Sequence, residues 1–499
     1  MAIPKVVGIE TEYGIIVPGA PATNPIASSS VLVNAYIGER PTRALWDFED
    51  ESPANDARGF TLEGAMPPEI ETHLVNAVLT NGARFYVDHA HPEVSTPECR
   101  DAFEVVTWDR AGEEIMRRAM ATANSFLTDG QIVVYKNNSD GKGASYGCHE
   151  NYLLAREVPF GRLVTQITPH FVTRQLICGA GKVGCEAPGV SSRDVPYQLS
   201  QRADFFEEEV GLETTLKRPI VNTRDEPHCD ASKYRRLHVI VGDANMAEYS
   251  TFVKVGSTSI ILAMIEDDVC GTDLAISDPV REIRKVSHDP SLTAKLLLKD
   301  GRRLTALQIQ WELYARARRY QQSHGLEAVG ERAGEAALDT WETILTALET
   351  DRRDDVAHLV DWVAKQRLVN GFRERHKLGP TDAKLRAIDL QYHDVRPEKS
   401  LAARAGLATM ADPDAVLKAV TEPPESTRAY FRGRCLSRFA SSIVAANWDS
   451  LVFDTGTEAL RRVPMLEPLR GTAAHVGRLI DESSDASDLL RRLGSEERT

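Results

Sequence analysis

The chain has 499 residues, which is too long for one small core and suits two to four domains or one large domain with an appendage. A formal charge of −14 excludes a nucleic-acid binder working by bulk attraction to phosphate, and no apolar run approaches the length of a membrane span. Met1–Lys5 has no signal-peptide pattern, and seven cysteines without a Cys-x-x-Cys pair argue for a reducing, cytoplasmic setting, against a disulfide framework and against a structural zinc site.

Val6–Gly14 reads as a strand that sends Val7, Ile9 and Thr11 to one face and Glu10 and Glu12 to the other. Two neighbouring carboxylates repel unless a cation lies beside them, either a divalent metal or an arginine. From Pro18 to Asn81 the chain looks irregular, with Ser28-Ser29-Ser30 and Pro67-Pro68 as breakers and an acidic, aromatic run at Trp46–Pro53. His73–Leu79 is expected to be a short helix.

Gly82–Cys99 is the stretch that organises the rest. Phe85 and Val87 suit a buried strand face, so Arg84, Tyr86 and Asp88 share the opposite one. His91-Pro92 is read as the turn, with Glu93 just beyond it. Carboxylates in this pattern suit Mg²⁺ or a general base; an ordinary edge strand with an ion pair is the plain alternative.

Helical spacing follows at Trp108–Leu127, a strand at Gln131–Tyr135 and another through Ser145–Leu154, where His149 and Asn151 face away from Cys148, Glu150 and Tyr152. Gly-Lys-Ser/Thr is absent, so there is no Walker loop. Pro169–Cys178 is predicted helical, ending in a glycine turn, Gly179–Lys182, that is a weak phosphate signal. Tyr234–Glu248 holds a strand with Arg236 and His238 on one face, which suits a phosphate-and-metal site or a surface ion-pair face.

From Ser257 to about Ser400 the chain is mainly helical, with amphipathic spacing at Leu304–Tyr320, Glu327–Glu349 and Val356–Asn370, interrupted at Asp389–Asp394, and Met410–Ala419 is a short helix. Pro423–Glu425 is a hinge candidate. It divides a catalytic domain, 1–422, from a small C-terminal domain, 423–499, with a helix-to-strand transition at Phe439–Trp448 and a frayed polar end.

Gly8–Gly14, Asn81–Cys99, Lys136–Asn138, Tyr146–Tyr152, Asn222–His228 and Tyr234–Glu248 together resemble the Pup ligase and depupylase family, a branch of the glutamine synthetase-type carboxylate–amine ligases. The long insert at about 40–80 and the spacing Asp88-His89-Ala90-His91-Pro92-Glu93 resemble the deamidase/depupylase branch, whereas Gln175–Gly181 reads closer to the ligases. The resemblance implies an α+β fold: a curved antiparallel sheet cradle backed by helices, plus the small C-terminal domain. It implies ATP, or ADP with phosphate, and Mg²⁺. Glu10, Tyr86 and Glu93 match metal positions, with Glu12 and His238 as additions. Arg84, Thr96 and Trp448 match nucleotide positions, Arg224 and Arg236 suit phosphate or a carboxylate, and Asp88 matches the catalytic aspartate.

The implied reaction is deamidation of the C-terminal Gln of Pup and cleavage of Pup–lysine isopeptide bonds. Asp88 would attack directly or activate water, and nucleotide-derived phosphate is a third route. Pup, pupylated proteins and the proteasomal ATPase are the implied partners, without nucleic acid or membrane. The rivals are a Pup ligase, a small-molecule amine ligase and a non-catalytic Pup-binding module.

Overall fold

The computed structural model describes residues 1–19, 24–38, 44–49, 51–61, 75–128, 130–456 and 459–496. Six strands form the central antiparallel sheet: β1 Val7–Glu12, β2 Asn76–Val78, β3 Arg84–Asp88, β4 His91–Ser95, β5 Cys148–Ala155 and β6 Tyr234–Val239. Their spatial order is β6-β5-β1-β4-β3-β2. One face is apolar: Val7, Ile9, Phe85, Val87, Val94, Tyr152 and Leu237 are buried against helices. The other face carries Glu10, Glu12, Arg84, Tyr86, Asp88, Glu93, His149, Asn151, Arg236 and His238, because side chains alternate along each strand.

Two helices close the apolar face early in the chain. Helix α1, Pro25–Ile37, occupies part of the segment expected to be irregular. Asn24 caps it by accepting from the Ile26 amide at 2.9 Å, and Pro25 begins its first turn. Ser28 and Ser29, expected to break structure, are buried helical residues, and Ser29 Oγ donates to the Ala90 carbonyl at 2.9 Å. Helix α2, Ala102–Phe126, is capped by Asp101 and buries Val105, Val106, Ile115, Met116 and Ala119. Behind the sheet the helices Phe160–Thr173, Glu248–Glu266, Ala306–His324 and Glu331–Glu349 build the largest core. Gly256 permits one close crossing there: a Cβ on it would lie 2.5 Å from that of Ala337.

Several local expectations are corrected. The turn after β3 is His89-Ala90, with His89 at φ 50°, and His91 and Pro92 belong to β4. In place of the short helix expected at 73–79, Asn76–Val78 forms strand β2, with Val75 and Leu79 just outside it; residues 73 and 74 lie outside the described set. The helix read from Pro169 starts at Phe160, since tertiary burial outweighs the poor propensity of an internal proline. Asp389–Tyr392 is the last turn of the helix Ala383–Tyr392 rather than an interruption. The polar end is helical over Ala486–Glu496, and residues 497–499 lie outside the described set.

Residues Leu45–Trp46, from the insert, pair in parallel with Ile443–Ala446 and complete a four-stranded sheet with Ser450–Phe453 and Arg461–Pro464. Ala44, Trp46 and Val78 share a core cluster with Phe431, Leu436, Leu451 and Phe453. The insert thereby joins the C-terminal segment to the edge of the main sheet.

Candidate active site

Strand register places the site. Glu12 lies opposite Glu93, Glu93 opposite Tyr86, Glu10 opposite both Ser95 and His149, and Asn151 opposite His238. Two clusters result. The carboxylate oxygens of Glu12, Asp88 and Glu93 lie within 4.8 Å of one another, and so do the ligand atoms of Glu10, His149 and His238. The first set offers oxygen only, as Mg²⁺ prefers. The second mixes a carboxylate with two imidazoles.

The electrostatics of this face point to a missing positive charge. Burial, followed by Asp88, Glu12 and Glu10, pushes Glu93 well above the usual carboxylate range, even though Tyr86 donates to it at 2.5 Å. Glu12 is shifted the other way: burial opposes its ionisation, but His91, His149 and the Gly147 amide at 2.7 Å hold it low. Glu10 is likewise held well below its ordinary value against burial by His149, His238 and Arg236, and Asn151 donates to it at 2.8 Å. Burial drives His238 well below its ordinary value, against the opposing pull of Glu10. A divalent cation would let Glu93 ionise beside Glu12, so these residues fit one.

Asp88 differs from its neighbours. It ends β3 with 38% of its side chain exposed and accepts from or pairs with His89 Nδ1 at 2.8 Å. Ser29 and the left-handed His89 fix the turn beside it. Asp88 is therefore the carboxylate of the cluster that an incoming group can reach.

On the Glu10 side a cleft opens between β1, β5, β6 and the C-terminal segment. Glu10, Thr96, Arg236, His228 and Trp448 are among its lining residues. Thr96 accepts from the Ile9 amide at 3.0 Å, and Arg236 donates to the Glu226 carbonyl and to Asn151. Trp448 meets Trp46 edge-on at 5.4 Å between ring centroids. Arg84 does not line this cleft; its guanidinium is clamped 3.9 Å from both the Trp46 and Tyr86 rings. Arg224 forms a backbone bridge with Asp56 of the insert, and its buried Nε has no hydrogen-bond partner among the described residues.

The Gly179–Lys182 turn is not a phosphate loop. A Cβ on Gly179 would lie 2.3 Å from the Leu199 carbonyl, and Lys182 pairs with Glu186. Residues that the sequence left without a role also enter the site. His91 stands 3.3 Å from Glu12 and stacks on Tyr146 at 4.2 Å. Glu98 holds Arg428 and Arg432, and Arg432 donates to the Gly82 and Trp448 carbonyls. The alternation of β5 signalled His149; only the tertiary structure reveals Glu98.

The sheet face thus sets two carboxylate-bearing clusters beside a cleft that Trp448 and Tyr152 line. The chain belongs to the Pup-ligase family: the model described as Pup-ligase protein matches residues 5–452. A depupylase of Acidothermus cellulolyticus is 52% identical over 98% of this chain and 99% of its own length. A Pup deamidase/depupylase of Mycolicibacterium smegmatis is 48% identical over 98% of this chain and 99% of its own. The structure of the Pup ligase PafA in complex with ADP superposes with a TM-score of 0.74 at 35% identity, covering 89% of this chain and 98% of the ligase. The fold is the α+β, glutamine synthetase-like one of that family.

Proposed function

We infer that this protein is a nucleotide-dependent Pup deamidase and depupylase: it converts the C-terminal Gln of Pup to Glu and hydrolyses the isopeptide bond between Pup and a substrate lysine. The observation that carries this reading is the solvent-accessible Asp88 set against the Glu12–Glu93 carboxylate pair. The hydrolase branch is supported by two depupylase relatives at 52% and 48% identity over 98% of this chain, against 41% over 81% of it for a Pup–protein ligase of Acidimicrobium ferrooxidans.

Glu12 and Glu93, with Tyr86 orienting Glu93 through its hydroxyl, would hold one Mg²⁺; Glu10, His149 and His238 would hold a second divalent ion. The bound ions supply charge neutralisation for nucleotide phosphates and for a developing oxyanion. Trp448 and Thr96 line the nucleotide cleft and Arg236 lies at its Glu10 side, while Arg84, stiffened between two rings, and Arg224 supply further cations for phosphate or for a Pup carboxylate. Asp88 prepares the attack on the amide carbonyl from the rim of the cluster, where substrate can approach. A catalytic unit at 1–422 and a C-terminal unit at 423–499 are the matching domain division, with Trp448 carrying the second unit to the cleft.

Seven free cysteines suit a reducing cytoplasm, and no helix among the described residues is long and apolar enough to cross a membrane. The proteasomal ATPase is added as a partner on family resemblance alone. The deciding experiment incubates the purified chain with Pup ending in Gln, with and without nucleotide and Mg²⁺, and follows the mass change of deamidation. Nucleotide-dependent conversion supports the reading. Conjugation of Pup ending in Glu to a lysine acceptor, without deamidation, replaces it with the ligase; Pup binding without turnover replaces it with a binding module.

A further inference from the structure

Outside the cradle, Cys185, Asp204 and His288 converge from three separate segments, and their ligand atoms lie within 4.8 Å of one another. Cys185 follows the short strand Lys182–Val183, Asp204 sits in the 3-10 turn Ala203–Phe205, and His288 caps the helix Pro279–Ser287. His288 Nε2 is 3.6 Å from Cys185 Sγ and 2.6 Å from Asp204 Oδ1.

A nucleophile–base–orienter relay would place thiol and carboxylate on opposite ring nitrogens. Here both meet the same nitrogen, as ligands around a shared centre do. The cluster is set in position by its surroundings. Asp204 is fully buried, and its other oxygen accepts from Gln198 Nε2 and the Glu186 amide, both at 2.8 Å. Ser192 Oγ accepts from the Cys185 amide at 3.1 Å.

We propose that Cys185, Asp204 and His288 form a binding site for Zn²⁺ or a similar borderline divalent ion. Thiolate, imidazole and carboxylate are the donors such an ion takes, and the three-ligand set leaves a fourth position open. His288 also lines an open cleft with Arg281, Arg284 and Lys285 and with Asp278 and Asp289, so water or hydroxide is the matched fourth ligand. Mg²⁺ would not compete, because it does not accept sulfur. The ion would tie the 185 loop to a helix end about a hundred residues away. Glu186, next to Cys185, reaches Ser139 Oγ and the Gly143 amide, so the tie also bears on the loop below Tyr146.

The test uses the full chain, stripped with chelator, reduced and titrated with Co²⁺ as a spectroscopic stand-in. The expected result is one equivalent giving a thiolate-to-cobalt charge-transfer band, displaced by Zn²⁺ and unaffected by excess Mg²⁺. Cys185→Ser abolishes the band, and His288→Gln weakens binding beyond the roughly 10–100-fold that follows loss of a hydrogen-bond partner to a ligand. Cobalt at Glu10, His149 and His238 gives no thiolate band, so the cradle does not confuse the readout. Should Cys185→Ser fail to fold, Zn²⁺ must still slow alkylation of Cys185 in the native chain, followed by peptide mass. Absence of the band, its survival in Cys185→Ser, or alkylation indifferent to Zn²⁺ overturns the proposal.

Discussion

Replacing Glu98 by Gln tests how the C-terminal segment is held to the cradle. Glu98 accepts from Arg428 Nε at 2.7 Å and from both terminal nitrogens of Arg432. Arg432 is fully buried and also donates to the Gly82 carbonyl at 2.8 Å and the Trp448 carbonyl at 2.9 Å. Burial opposes the charge on Glu98, yet Arg432 and Arg428 bring its pKa from 4.5 to about 2. That difference corresponds to about 3 kcal/mol of stabilisation at neutral pH. The side chain is only 14% exposed, so solvent screening takes little of it. Two buried guanidinium groups would be left without their counter-charge, a change that typically costs about 3–5 kcal/mol.

The folded-state pKa is depressed, so this stabilisation is complete above the unfolded value near 4.5 and is lost as pH falls toward 2. Urea unfolding followed by tryptophan fluorescence should show Glu98→Gln less stable by about 3 kcal/mol at neutral pH. Wild type and variant should converge as pH falls from 4.5 toward 2. A loss below about 0.5 kcal/mol at neutral pH, or a difference that ignores pH over that window, refutes the reasoning.

Asp88→Asn should abolish Pup–lysine isopeptide cleavage while nucleotide affinity, measured by calorimetry, stays within about two-fold; retained turnover removes Asp88 from the mechanism. Glu10→Ala should weaken Mg-nucleotide binding by about ten-fold or more, and a Kd that stays constant across Mg²⁺ concentrations argues against its metal role. Gly147→Ala places a Cβ 2.2 Å from His149 Nε2 and 2.8 Å from Glu12 Oε1, so activity should fall by about ten-fold or more while far-UV circular dichroism is unchanged. Trp46→Ala removes the ring contact to Trp448 and one of two rings clamping Arg84, together about 1–2 kcal/mol. An unchanged nucleotide affinity in that variant would show that the insert does not shape the cleft.

The sequence by itself determined which side chains face together along each strand. Alternation from Val7 to Glu12 and from Arg84 to Asp88 follows from the pleat, so the inward apolar set and the outward polar set were legible locally. Long, specific motifs carried the family with them. Tertiary structure decided what no local rule contains. Helix α1 was hidden because its serines make sense only against α2 and the β3–β4 turn. Strand register across β1, β3, β4 and β5 divided the outward residues into an all-oxygen set and a set with two imidazoles. Cysteine spacing argued against zinc, yet the fold brings Cys185 to Asp204 and His288 from segments with no sequence relation. Sequence spacing reports neighbours within one strand or helix, whereas a site of this kind depends on distances between segments, which packing alone sets.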